Sequence, residues 1–471
     1  MQDEPRLPRP RDHSRTAGGR PPVVVRDQRL IMKSSSTVKA LAAVMAVGWT
    51  GVAGAQQDTT VRRQQRQLDS LAAAMQAVQA RLDSLERAGT GGAQPAAPAR
   101  AAGSYMNIGF DGLVDGGTSN YAIVREIEKG DHDPKVRGFT IPNAEVTLDA
   151  NVDPYFKGFA NLVWKLDAQG ETQVELEEAY AITTSLPKNL QAKVGQFFTE
   201  FGRQNPQHPH SWAFVDAPLV LTQMFGPEGL RSQGLRVSWL APTSFYTEAM
   251  VTVANSAGGT AFSFRSDESP AISGGVPFVR EVTSFSDMLI APRLTTSFDL
   301  TDTQTLVAGI SGAFGPNNAG TDTRTSIYGA DLYWKWKSLT AAQGFPFWSF
   351  QAEGMLRRYG TDVRTAVAPP PTTLPAETLR DGGGYAQVLW GIKPRIVAGL
   401  RGDYVNGDSA SFDAEFRGEH TRISPNFTWY PTEFSKLRVQ YNYDHRPGFK
   451  DGNSLWFQLE YIMGAHAAHK F

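Results

Sequence analysis

Beyond residue 104, apolar and polar residues alternate almost one for one. In KLRVQYNYD, Leu437, Val439, Tyr441 and Tyr443 share one face, and Arg438, Gln440, Asn442 and Asp444 share the other. YGADLYWKWK sets Tyr328, Ala330, Leu332, Trp334 and Trp336 against Asp331, Tyr333, Lys335 and Lys337. The chain closes on SLWFQLEYIMGAHAAHKF, where Leu455, Phe457, Leu459 and Tyr461 alternate with Trp456, Gln458 and Glu460. A period of two places successive side chains on opposite faces of a strand. The pattern predicts strands at 104–115, 139–150, 156–166, 172–184, 190–199, 232–241, 244–254, 287–299, 304–314, 325–337, 346–359, 381–391, 394–405, 420–430, 435–444 and 454–471.

Alternation suits a soluble sandwich as well as a membrane barrel. The connections separate the two. Short ones (NVDPY, LPKNL, DLTD, YPTEF) alternate with mostly longer ones at 116–138, 200–231, 255–286, 315–324, 360–380, 406–419 and 445–453. Short turns at one end and long loops at the other mark an outer-membrane barrel. The fold expected is therefore all-β, a 16-stranded antiparallel transmembrane barrel over 104–471. An even strand number returns both ends of the barrel segment to the periplasmic side.

The N-terminal segments carry other patterns. Residues 1–31 are Arg- and Pro-rich without periodicity and read as a misassigned extension ahead of a start at Met32. Residues 32–55 combine Lys33 and Lys39, an apolar run from Ala40 to Val47, and Ala53-Gly54-Ala55, the three parts of a secretory signal peptide. In 56–88, Val61, Leu68, Met75 and Leu82 repeat every seven residues, as do Leu71, Val78 and Leu85. This predicts a short periplasmic coiled coil, or else one amphipathic helix lying on its own barrel. Residues 89–103 form a Gly/Pro/Ala linker.

Composition narrows the function. A net charge of -1 gives no footprint for nucleic acid, and the absence of cysteine removes disulfides and thiolate metal sites. Trp164, Trp239, Trp334, Trp336, Trp348, Trp390, Trp429 and Trp456 fall in expected strands, as membrane-interface girdles or as cross-strand packing. No nucleophile motif, P-loop, HExxH or dinucleotide fingerprint has a supporting context. Neither an enzyme nor a cofactor is expected.

EEAYAITTSLPKNLQAKVGQFFTEFGRQNPQHPHSW and ISPNFTWYPTEFSKLRVQYNYD, together with the signal peptide, heptads and terminal Phe471, resemble the phosphate-selective porin O and P type. The first stretch and the GAHAAHKF tail are also similar to a group labelled zinc-regulated TonB-dependent outer-membrane receptors. The porin resemblance implies an outer-membrane channel for small polar or ionic solutes, embedded in lipid and assembled as a homotrimer. Phe471 would then be the signal read by the barrel assembly machinery.

Candidate pore-lining residues are Glu145, Asp149, Asp331, Lys335, Lys337, Glu353, Arg357, Arg422, Arg438 and Glu460, a mixture of both charges. The connection 200–231 is more apolar than an exposed loop should be. It is expected to fold into the lumen as a constriction bearing Trp212, Phe214 and Phe225. It also holds His208, His210 and Asp216, candidate ligands for zinc or copper. These would serve the alternative function, a receptor or transport component for a metal. His466 and His469 invite the same reading at the tail.

Overall fold

The computed structural model describes residues 106–464, apart from 168, 267–269, 279–280, 368–369, 409 and 412–416. The expected extension, signal peptide, coiled coil and linker, and the tail with His466, His469 and Phe471, lie outside the described residues. The chain divides into two units, Met1–Ala99 and Arg100–Phe471, and the described residues belong to the second.

In chain order the strands are β1 (Met106–Ser119), β2 (Gly138–Asn151), β3 (Phe156–Leu166), β4 (Thr172–Thr183), β5 (Leu190–Phe198), β6 (Arg231–Leu240), β7 (Tyr246–Asn255), β8 (Met288–Thr301) and β9 (Gln304–Pro316). Then come β10 (Arg324–Ala342), β11 (Phe345–Thr361), β12 (Arg364–Thr365), β13 (Thr373–Leu374), β14 (Glu377–Lys393), β15 (Ile396–Gly407), β16 (His420–Thr432), β17 (Ser435–His445) and β18 (Gly452–Gly464). β12 and β13 pair only with each other, in the connection between β11 and β14. The other sixteen close a barrel in which each strand pairs with its neighbours in sequence. β1 seals it against β18, from Gly109 opposite Gly464 to Ser119 opposite Ser454.

All sixteen expected strands are present. The largest boundary difference is at the β10–β11 hairpin, which runs on to Gln343 and Gly344. Both have positive φ, 53° and 90°, so a tight two-residue turn joins strands longer than SLTAAQGF suggests.

The barrel is apolar on the outside. On β18, Leu455, Phe457, Leu459, Tyr461 and Met463 are exposed, while Ser454, Trp456, Gln458 and Glu460 are buried. In water this would be inside out. In a bilayer it is the stable arrangement, because a closed barrel satisfies its own backbone and shows lipid only apolar side chains. Near the short turns, Trp348 and Trp390 stack at 5.1 Å between ring centres, and Trp239 and Trp429 are exposed. Trp456 does not join this girdle. It has the opposite parity, and its indole N–H donates to Glu128 inside the barrel at 3.1 Å. This is an outer-membrane β-barrel.

The interior is filled. Helix α1 (Leu219–Phe225) is buried over its whole length. Pro218 precedes it, and Gly226, at φ 78°, ends it by donating its N–H to Thr222 O. Its side chains pack with Phe201, Phe264 and the inward residues Leu289, Ala313, Ile327, Met355, Tyr385 and Val405. The inner wall is therefore not polar throughout: over β8–β11, β14 and β15 it is apolar towards the long-loop end. There the wall is apolar because it faces protein rather than water.

Candidate functional site

Parts of three connections meet inside the barrel: Glu128 of 120–137 and Asp216 of 199–230 share Arg422, and Ser263 of 256–287 donates to Met224 O. The middle one is held by inward side chains from many strands. Gln204 N donates to Glu353 at 2.7 Å, Val215 N to Gln440 at 2.9 Å and Leu219 N to Asp403 at 3.1 Å. Arg438 donates to Trp212 O and Arg357 to Gln223 O. Trp212, Phe214 and Phe225 are all buried, Phe214 beneath the Arg401 guanidinium and Phe225 against Phe201.

Asp216 is the main anchor. It accepts from Arg401, Arg422, Gln440 and Asn442, and it is 1% exposed. Burial raises its pKa, but the two guanidiniums outweigh that and hold it below the usual carboxylate value. Glu128, from the first connection, also meets Arg422, at 2.7 Å. Burial pushes Glu128 up to about 8 despite Arg422.

The ten expected pore-lining residues share the inward parity, but most are committed to partners. Asp331 pairs with Arg293, Arg357 with Asp381, Arg422 with Asp444, Glu460 with Lys436, and Asp149 with Lys157. Glu353 accepts from Tyr385, and Arg438 donates to Gln458. Lys335 lies over the Phe347 ring, and Lys337 is exposed near the short-turn end.

The metal candidates separate. His208 and His210 stack at 5.7 Å, whereas Asp216 is drawn away to Arg401 and Arg422. The histidines instead meet glutamates of the wall. His208 Nδ1 lies 2.9 Å from Glu177 Oε2 and 3.6 Å from Glu145 Oε1; His210 Nδ1 lies 3.3 Å from Glu145 Oε2. On the far side of the ring, His208 Nε2 is 2.8 Å from Glu178 Oε2. Burial pulls the His208 pKa down, but Glu145 and Glu177 outweigh it and hold the ring well above the usual imidazole value.

The strand pattern alone does not single out Glu177 and Glu178. Adjacent strand residues should face opposite ways, yet both are buried inside. The cause is a β-bulge: Asn161 pairs with Glu178 and Leu162 with Leu176, leaving Glu177 as the extra residue. The available signal was the break in alternation at ELEEAY, where two acids stand side by side.

No protein-family model matches the chain. It is 34% identical over 361 residues to an uncharacterized protein of Aquifex aeolicus (strain VF5), covering 71% of this chain and 70% of that one. The chain belongs to that protein's family. Similar solved structures include the outer membrane channel DcaP of Acinetobacter baumannii, at 12% identity and TM-score 0.47 over 76% of this chain and 97% of that one. An anion-selective porin from Comamonas acidovorans matches at 8% and 0.44 over 76% and 100%. A trimer form of Vibrio cholerae OmpT, an outer membrane protein, matches at 8% and 0.44 over the same shares.

Proposed function

We propose that this barrel is a channel for small polar or ionic solutes, with connection 200–231 as its constriction. The observation that carries the reading is how that connection is held. It packs against the inner wall through hydrogen bonds and ion pairs, and no covalent link fixes it. Such contacts can exchange with water and let the segment yield. The charged groups near the short-turn end, Asp149, Lys157, Lys335 and Lys337, offer solutes a mixed-sign vestibule. A porin of the O and P type would need cations left for phosphate. Arg357, Arg401 and Arg422 are instead each paired with carboxylates, which favours a channel without phosphate selectivity.

Purified protein in planar bilayers should give stepwise conductance, and reversal potentials in a salt gradient should show weak ion preference. A folded barrel with no conductance would overturn the reading. The heptads at 61–85 favour a homotrimer joined by a periplasmic helical stalk.

A further inference from the structure

Many buried acids of the barrel interior face guanidinium or ammonium groups. Asp216, Asp331, Asp381, Asp403 and Asp444 each pair with arginine, and Glu460 pairs with Lys436. Glu353, Asp115 and Asp133 are buried without an ion pair as single residues, and one group of neighbouring acids departs together. Among the described residues, Glu145, Glu177 and Glu178 have ion-pair contacts only with histidines. Asp111 sits directly opposite Glu145 across the β1–β2 pairing and is 0% exposed, and neither of its carboxylate oxygens has a hydrogen-bond partner. Facing like charges destabilise a sheet, and burying a carboxylate with no hydrogen-bond partner is costly. The wall is built as though a further positive charge belonged there.

The geometry fits a metal ion. One oxygen each of Glu145 and Glu177 and one nitrogen of His208 lie within 4.8 Å of one another. Tetrahedral bonds of about 2.0–2.1 Å separate ligand atoms by about 3.3 Å. The His208 Nδ1 distances to the two glutamates, 2.9 and 3.6 Å, fall on either side of that spacing. A supporting shell is present as well. Glu178 holds His208 Nε2, which leaves Nδ1 facing the acids and the Asn161 side-chain amide 2.9 Å away, and a carboxylate behind a ligating imidazole fixes its tautomer and orientation. Asn161 Nδ2 donates to Glu177 at 2.9 Å, and Thr147 donates to Glu145 at 3.2 Å.

We propose that Glu145, Glu177 and His208 bind one divalent transition-metal cation of the zinc class, with Glu178 as the positioning residue and the fourth position open to water. One imidazole and two carboxylates suit such an ion better than calcium or magnesium, which take all-oxygen shells.

The test uses full-length protein in detergent, stripped with chelator and titrated calorimetrically with zinc chloride, and separately with magnesium chloride. Zinc should bind one ion per chain, and magnesium should give no saturable site. Glu177→Gln and His208→Ala should each weaken zinc binding at least about 100-fold, and Glu178→Gln about 10–100-fold. His445→Ala, at an exposed site on β17, should leave it unchanged. Each variant is checked for the heat-modifiable gel migration of a folded barrel. No saturable zinc binding by the wild type, or undiminished binding by folded Glu177→Gln and His208→Ala, would overturn the site. X-ray absorption of the zinc-loaded wild type gives a readout independent of variant folding. One imidazole with oxygen ligands supports the assignment, and a shell without imidazole or with several refutes it.

Discussion

Removing the Asp216 carboxylate should release the in-folded connection while leaving the barrel closed. Its Oδ1 accepts from Arg401 at 2.9 Å and from Gln440 at 2.7 Å; its Oδ2 accepts from Asn442 at 3.0 Å and from Arg422. Deleting one partner of a buried ion pair costs about 3–5 kcal/mol, mostly because the other charge is stranded. Here stranding is incomplete. Arg401 keeps Asp403 at 2.7 Å, and Arg422 keeps Asp444 and Glu128, both at 2.7 Å. Glu128, with its pKa near about 8, is mostly protonated at neutral pH and can ionise to replace part of the lost charge. The lower end applies, so Asp216→Ala should cost about 3 kcal/mol and shift the seated-to-released ratio about 150-fold. Asp216→Asn keeps the shape and some of the hydrogen bonds, so a smaller shift is expected. Two assays read the change. Single-channel recordings should show larger and noisier openings, and trypsin should cut after Arg203 or Arg231 faster in reconstituted vesicles. Identical conductance histograms and identical cleavage rates for Asp216→Ala and wild type would refute the anchoring argument.

Further outcomes follow from the same geometry. Glu128 is buried with a pKa raised from 4.5 to about 8, so seating of its connection should weaken as pH climbs between those values and level off above; Glu128→Gln should flatten that trend in a proteolysis profile run from pH 5 to 9. Phe457→Arg puts a charge on the lipid face near the middle of β18 and should cost about 2–4 kcal/mol, read as a lower urea midpoint for folding into liposomes. Gly195→Ala should also lower that midpoint: its φ is 137°, and an added Cβ would stand 2.2 Å from Ala179 O. Deleting residues 57–88 should make the detergent-solubilised trimer easier to dissociate, read as a lower mass by light scattering; a monomeric full-length protein would refute the trimer itself.

The wall was legible because one physical rule governs every strand. Lipid outside and protein or water inside impose a period of two. Leu437, Val439, Tyr441 and Tyr443 therefore announced their face without reference to any distant residue. The interior obeys no such local rule. Ile327 and Val405 are apolar and face inward because α1 lies over them, and that contact joins positions remote in sequence. Asp216 stands six residues from His210, and proximity in sequence made it a natural third ligand. Its position was decided instead by Arg401 and Arg422, on strands that sequence spacing cannot bring into view.

The histidine cluster shows where reading by parity stops and where it could have gone further. His208 and His210 were found because two imidazoles in an apolar connection are conspicuous. The acids around them are hidden in three different ways. Glu145 was assigned to the lumen wall as one charge among ten. Asp111 is a single aspartate in an alternating strand and looks ordinary. Its meaning comes from facing Glu145 across the β1–β2 register. Glu177 breaks the alternation outright, and a strict period of two would have sent it to the lipid face beside Glu178's neighbour Ala179 or sent Glu178 there in its place. A carboxylate on that face is expensive, so the acid pair itself required a bulge. The same cost that made the strands readable thus placed an irregularity at ELEEAY, and that irregularity puts both glutamates around His208.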